Sequence, residues 1–250
     1  MSARVFAIGA AGIVLIALAG CQTCPSKGAV APEPYACRLA AGPIAIDGKL
    51  DEAAWAKADA ITEWHIFQPE GAECLFPSKV RLLWDKEFLY VAFEYEDIDI
   101  WSYSNEADSE LWRGDVAELF IKPSRENPIY YEFVMAPNGT LYDGWYPSRG
   151  AGGYYRFKDW ASNAKVATQV NGTDGDPSDD DQGYVVEVAF PMALFPDWAQ
   201  PTPGMEWTFG AFRYDYSKAY DDPLLMMTIP EAAGHGYHSY EGYLPLRFEK

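Results

Sequence analysis

The sequence predicts an all-β domain, a two-sheet antiparallel sandwich, on three observations. Aromatic residues make up 16% of the 250 positions, with 9 Trp and 17 Tyr, and such side chains suit the pleated, half-buried surface of a sheet. Turn-forming residues are plentiful, 21 Gly and 18 Pro. Apolar residues recur at period two in short segments between turn signals, with almost no long helical pattern. Hydrophobic residues reach 49%, enough for a packed core, which excludes global disorder.

Residues 1–20 lie outside the predicted fold. Arg4 is their sole charge, and the uncharged run from Val5 to Gly20 is too short for a membrane-spanning helix of roughly 20 residues. It fits an export signal. The run ends Leu18-Ala19-Gly20-Cys21, which resembles the lipobox of bacterial lipoproteins. That resemblance implies cleavage before Cys21, lipidation of its thiol and anchoring to the cell envelope without a spanning segment. Gln22 after the cysteine implies outer-membrane sorting in a host with two membranes. Residues 21–36 are small, polar and Pro-containing, a flexible tether. Of the remaining cysteines, Cys37 and Cys74 are the favoured disulfide pair, with Cys24 left on the tether.

One domain is expected over 37–250. Ile44 to Gly48 reads as a short strand and turn, and Asp51 as the cap of a brief helix whose Trp55 packs inward. Val80–Trp84 and Phe88–Glu96 form a hairpin across Asp85-Lys86-Glu87. In its second strand Leu89, Val91, Phe93 and Tyr95 share one face while Phe88, Tyr90 and Ala92 fill the other, so this strand is central. Val116–Ile121 is a strand with Glu118 on the side of Val116 and Phe120. Tyr130–Ala136 turns through Pro137-Asn138-Gly139 into Thr140–Asp143. Tyr184–Phe190, Trp207–Tyr216 and Tyr243–Phe248 complete the set.

Acidic residues number 37 against 19 basic ones, a net charge of −18, and a field of that sign excludes nucleic acid and anionic lipid as partners. No phosphate-binding loop, dinucleotide fingerprint or nucleophile elbow is present. His235 and His238 lie near Asp221 and Asp222, but nothing completes a known zinc spacing. Asp174, Asp176, Asp179, Asp180 and Asp181 crowd one loop. They could serve a structural calcium ion through oxygen ligands, or simply form a solvated turn. A glycosidase needs two carboxyl groups across a sugar ring, and Asp115 and Glu118, three apart around a strand start, should face opposite ways. No enzyme is expected, glycosidase activity being the alternative.

The segment Glu110 to Ile121 (ELWRGDVAELFI) stands out. A loop Trp112 beside a strand carrying Glu118 offers a flat apolar face and a hydrogen-bond acceptor, the usual chemistry for gripping a sugar. The ordered motifs resemble carbohydrate-binding module family 9-like domains, found in xylanases and as stand-alone exported proteins. They are Ile46-Asp47-Gly48-Lys49-Leu50-Asp51-Glu52 with Trp55, Lys79 to Asp85, Trp112-x-x-Asp115-x-x-Glu118-x-Phe120-Ile121, Tyr131-Glu132-Phe133 with Pro137 to Thr140, Gly183 to Pro191, and Pro203-Gly204-x-x-Trp207-x-Phe209. The resemblance implies an immunoglobulin-like sandwich that binds a polysaccharide or oligosaccharide without cleaving it. Trp112 matches one of the two sugar-sandwiching tryptophans and Glu118 the carboxylate. The positions of an Arg and an Asn grip are taken by Val134 and Ala136. Tyr237 is the nearest aromatic to the second Trp, and His238 resembles a histidine of stand-alone relatives. The alternatives are a xylanase-like accessory domain and an interaction lipoprotein that has lost its sugar.

Overall fold

The alternation that predicts the strands also decides which face each one buries. The protein was described from a computed structural model covering residues 33–151, 160–229 and 236–250; Cys21, Cys24 and His235 lie outside these residues. In chain order the strands are β1 (Tyr35–Leu39), β2 (His65–Gln68), β3 (Ser78–Trp84), β4 (Phe88–Tyr95), β5 (Val116–Lys122) and β6 (Tyr130–Met135). There follow β7 (Leu141–Tyr146), β8 (Lys165–Asn171), β9 (Gly183–Pro191), β10 (Glu206–Asp215), β11 (Leu224–Met227) and β12 (Leu244–Glu249). Among the described residues no helix is long and apolar enough to cross a membrane.

Hydrogen bonds run β7-β6-β5-β10-β12-β1-β3-β4-β9-β8, with β11 and then β2 added beside β10. The two ends of this run pack as a sandwich. Leu119 and Ile121 of β5, Phe133 of β6 and Phe209 of β10 meet Leu82 of β3, Val91 and Phe93 of β4, and Val188 of β9 in one core. Phe133 and Phe190 of β9 bring their ring centroids within 4.2 Å across it. As alternation requires, β4 lies between β3 and β9, with Tyr90 and Ala92 packed on its other face against Ala54 and Trp55. The β6–β7 turn closes as expected, Gly139 taking φ +84°, where an L side chain is strained.

Three expectations need correction. The sheet is not wholly antiparallel, because β1 runs parallel to both neighbours, β12 and β3. This strand also starts inside the expected tether: the Tyr35 hydroxyl accepts the Leu82 N–H at 2.8 Å and donates to the Asp59 carbonyl at 2.7 Å. Second, Cys37 and Cys74 are both free thiols. Cys37 is wholly buried in the core opposite Phe248, whereas Cys74 sits exposed after β2 with its thiol directed to the Phe76 carbonyl. A core-facing and a surface-facing side chain cannot share a bond.

Third, Ile44 to Gly48 is not a strand, and the expected helix is a single 3-10 turn, Trp55–Lys57, without a side-chain cap. A carboxylate on β9 organises this segment instead. Glu187 Oε2 accepts the Asp47 and Gly48 N–H groups at 3.0 Å each, and Oε1 accepts the Trp55 indole N–H at 3.0 Å. Glu187 is fully buried. Replacing it by alanine leaves three donors without their acceptor, so Glu187→Ala should cost about 2–5 kcal/mol of stability. Urea unfolding measures this, and a loss under about 1 kcal/mol would show that the clamp contributes little.

Candidate functional site

The outer face of β7-β6-β5-β10 does not turn polar, as a solvated sheet face would. Phe120, Tyr130, Tyr146 and Phe212 form a second aromatic cluster there, joined by Tyr237 and Tyr243. Between them opens a cavity of about 530 Å³, walled by Phe67, Trp112, Glu118, Tyr130, Glu132, Tyr146, Tyr214, Leu225, Tyr237 and His238, with Arg149 to Ala151 also lining it. The structure thus brings Trp112 and Glu118, six residues apart, and the distant Tyr237 onto one pocket. Asp115 is absent from its lining; both its carboxylate oxygens accept backbone N–H groups, from Tyr216 at 2.7 Å and Trp101 at 2.6 Å.

Trp112 is half-buried. Its ring meets Tyr142 edge-on, centroids 5.6 Å apart, and its carbonyl accepts the Tyr216 hydroxyl at 2.9 Å. It is a wall rather than a core residue. Tyr237 differs from the expected sandwiching ring. It is 6% exposed, with Phe212 against it at 4.1 Å and Phe67 at 5.4 Å, so a sugar cannot stack on it. What it offers is its buried hydroxyl, which has no hydrogen-bond partner. His238 reaches the Tyr130 hydroxyl through Nδ1 at 2.9 Å.

Glu118 is paired with neither Arg81 nor Arg213; Arg81 bonds Glu94, and Arg213 bonds Asp97 and Asp215. Its neighbour is Glu132. Register sets Glu118 opposite Val134 and Phe120 opposite Glu132 on the paired strands, so the two acids are diagonal neighbours on one face. Glu132 Oε2 accepts the Tyr146 hydroxyl at 2.6 Å, and Tyr146 shares a 2.8 Å hydroxyl contact with Tyr142. Gly144 between these tyrosines permits the arrangement, since a Cβ there would lie 3.0 Å from the Tyr142 hydroxyl oxygen. Burial, then the charge of and the hydrogen bond to Glu132, push the Glu118 carboxyl well above the usual range. Its Oε2 has no partner.

Glu132, Tyr130, Tyr146 and Tyr214 are the pocket residues that sequence reasoning missed. A signal for one existed. The same face of β6 carries residues 132, 134 and 136, and Val134 and Ala136 are fully buried with Leu111, Val116 and Tyr142. The polar position on this face lies at 132, not at 134 or 136.

A comparable acidic cluster lies elsewhere. Asp97, Asp115 and Asp215 place carboxylate oxygens within 4.8 Å of one another, and Arg213, wholly buried, bonds Asp97 at 2.8 Å and pairs with Asp215 at 2.9 Å. Burial lifts the Asp215 carboxyl to about 6 against the pull of Arg213. Calcium takes about 6–8 oxygen ligands; here backbone N–H groups and a guanidinium already engage the oxygens, and the resident cation repels a second. These residues do not fit a calcium ion. In the acidic loop, Asp181 accepts the Thr173 and Ile100 N–H groups at 2.7 Å each and Lys218 pairs with Asp180. Among the described residues that loop gathers no three carboxylates.

A family model described as Carbohydrate family 9 binding domain-like matches residues 46–241. The chain belongs to this family. No curated protein matches this family 9 domain. Among solved structures it is similar to a family 9 carbohydrate-binding module from Caldicellulosiruptor kristjanssonii in complex with glucose, at 16% identity and TM-score 0.54, over 85% of this chain and 94% of that one. The cellotriose complex of such a module from the same organism aligns at 17% identity and TM-score 0.53, covering 85% and 93%. A putative carbohydrate-binding protein from Bacteroides uniformis ATCC 8492 aligns at 13% and 0.54, covering 75% and 87%. These likenesses establish the fold of the family 9 domain, the expected β-sandwich.

The raised Glu118 carboxyl has a measurable consequence. The folded state keeps a proton that the unfolded chain gives up near pH 4, so this group's stabilisation is complete at acid pH and is lost as pH rises through the folded value. Glu118→Gln keeps the neutral, hydrogen-bonding form at every pH. The variant should therefore gain stability over the native protein as pH rises from 4 to 8, read as the difference in Tm. A constant difference across that range would show Glu118 titrating normally.

Proposed function

We propose that the protein binds the end of a saccharide chain in this pocket without cleaving it, and does so as an exported lipoprotein held at the cell envelope. The observation that carries the reading is the convergence of Trp112 and Glu118 on one aromatic-walled cavity that retains two unpartnered buried polar atoms, Glu118 Oε2 and the Tyr237 hydroxyl. A half-buried indole supplies a surface for the C–H face of a sugar, and the orphaned oxygens supply partners for its hydroxyls. Family membership and the saccharide-bound neighbours support the ligand class.

The carboxyl arrangement supports binding without hydrolysis. Glycosidases hold their two carboxyl groups about 5–5.5 Å or about 6.5–9.5 Å apart, across the bond they cut. Glu118 and Glu132 are instead diagonal neighbours on one sheet face, interacting with each other rather than across a cleft. Capture of polysaccharide ends for partner hydrolases or transporters is the role consistent with such a site. The lipobox-like Leu18-Ala19-Gly20-Cys21 supports the anchor.

Trp112→Ala should weaken binding to whichever glycans the native protein retains by at least about tenfold, while the far-ultraviolet circular dichroism stays native. Undiminished affinity would remove Trp112 from the site. For the anchor, labelled palmitate should enter the native chain in a bacterial host, and Cys21→Ala should abolish the label and release the protein from membranes. Retained label in that variant would place the lipid elsewhere.

A further inference from the structure

The unusual feature of this pocket is its charge. Its walls are aromatic, two buried acids line it, and the cation among its described lining residues, Arg149, is exposed. Arg149 pairs with Glu241 and lies over the Tyr240 ring, 5.1 Å from its centroid. The buried aspartates 97, 115 and 215 enclose Arg213 as a counter-ion. Among the described residues Glu118 and Glu132 enclose none, and Glu118, 3% exposed, keeps an oxygen without a partner.

We propose that the pocket takes an amine-bearing saccharide, a hexosamine whose ammonium group seats against Glu118 and Glu132 while its ring lies along Trp112. The proposal rests on the saccharide reading above and names its ligand class. An ammonium brings three N–H donors to a site rich in acceptors, and the positive charge that two buried acids lack. The rings of Trp112 and Tyr214 add attraction for a cation, and the net charge of −18 draws cationic ligands from solution.

Seating the ammonium also ionises Glu118. In the empty pocket its carboxyl holds a proton; when the cation arrives, the carboxylate forms and that proton passes to solvent, one released for each ligand bound. Of the groups facing Glu118, Glu132 on β6 contacts it, and Tyr95, Tyr214, Tyr237 and Tyr243 are all raised by burial and stay neutral. His238 is turned to Tyr130.

The experiment is isothermal titration of the full-length chain with glucosamine oligosaccharides, their N-acetylated counterparts and cello-oligosaccharides of equal length, in two buffers of different ionisation enthalpy. At mildly acidic pH, where the ligand amines are already charged, the amine ligands should bind at least about tenfold more tightly than the other two sets, with about one proton released per site. Glu118→Gln should lose the preference and the proton release, with native circular dichroism showing that the variant is folded. Should that variant not fold, the ligand preference of the native protein decides alone. Equal or tighter binding of the neutral ligands, absence of proton release, or a Glu118→Gln variant that keeps the preference would overturn the amine assignment and leave the saccharide reading standing. Binding of none of the three sets would overturn both.

Discussion

Two neighbouring carboxyl groups buried on one sheet face set the character of this molecule. At such positions adjacent acids resist being ionised together, because each charge is poorly solvated and repels the other. The proton on Glu118 is the resolution, and the neighbouring parts conform to it. Tyr146 donates to Glu132, Tyr142 meets Tyr146, and Gly144 stays small so that both hydroxyls fit. On the opposite side of β5, Ala117, Leu119 and Ile121 pack the sandwich core, so the same strand is a structural beam inward and a recognition element outward. Breaches of local rules of this kind gather at functional sites.

The contrast between the two buried acid clusters sharpens the point. Around Arg213 the fold supplies its own cation, which also bonds Ser78 and the Glu96 carbonyl, and such a cluster holds the β4–β5 connection to β10. The pocket pair has the same acids with no cation beside them among the described residues. An acid cluster built around its own cation is architecture; one that leaves an acceptor facing a cavity is prepared for something from outside.

Much of this was legible from residue order. The hairpins β3–β4 and β6–β7 follow from alternation and turn residues, and the face that Glu118 shares with Phe120 follows from their spacing of two. Trp112 was readable because a large ring in a loop before a strand has no evident core to join. What escaped was everything set by pairing at long range. Glu132 becomes a partner of Glu118 only through the β5–β6 register, and Tyr237 loses its ring faces only because Phe212 and Phe67 arrive from other strands. The strands β2, β8 and β11 are too short or too polar to declare themselves. The disulfide failed for a similar reason: strand starts say nothing of which way a thiol points once β1 is threaded between β12 and β3.

That threading also sets an order of events. β12 lies between β10 and β1, and β1 in turn joins β12 to β3. The two halves of the sandwich are therefore hydrogen-bonded into one run only when residues 244–249 reach their place beside residues 35–39. Hairpins can form early on the emerging chain, but this closure joins segments some two hundred residues apart, a slow step by its contact order. Until β12 is in place, no backbone ladder joins β1 to β10.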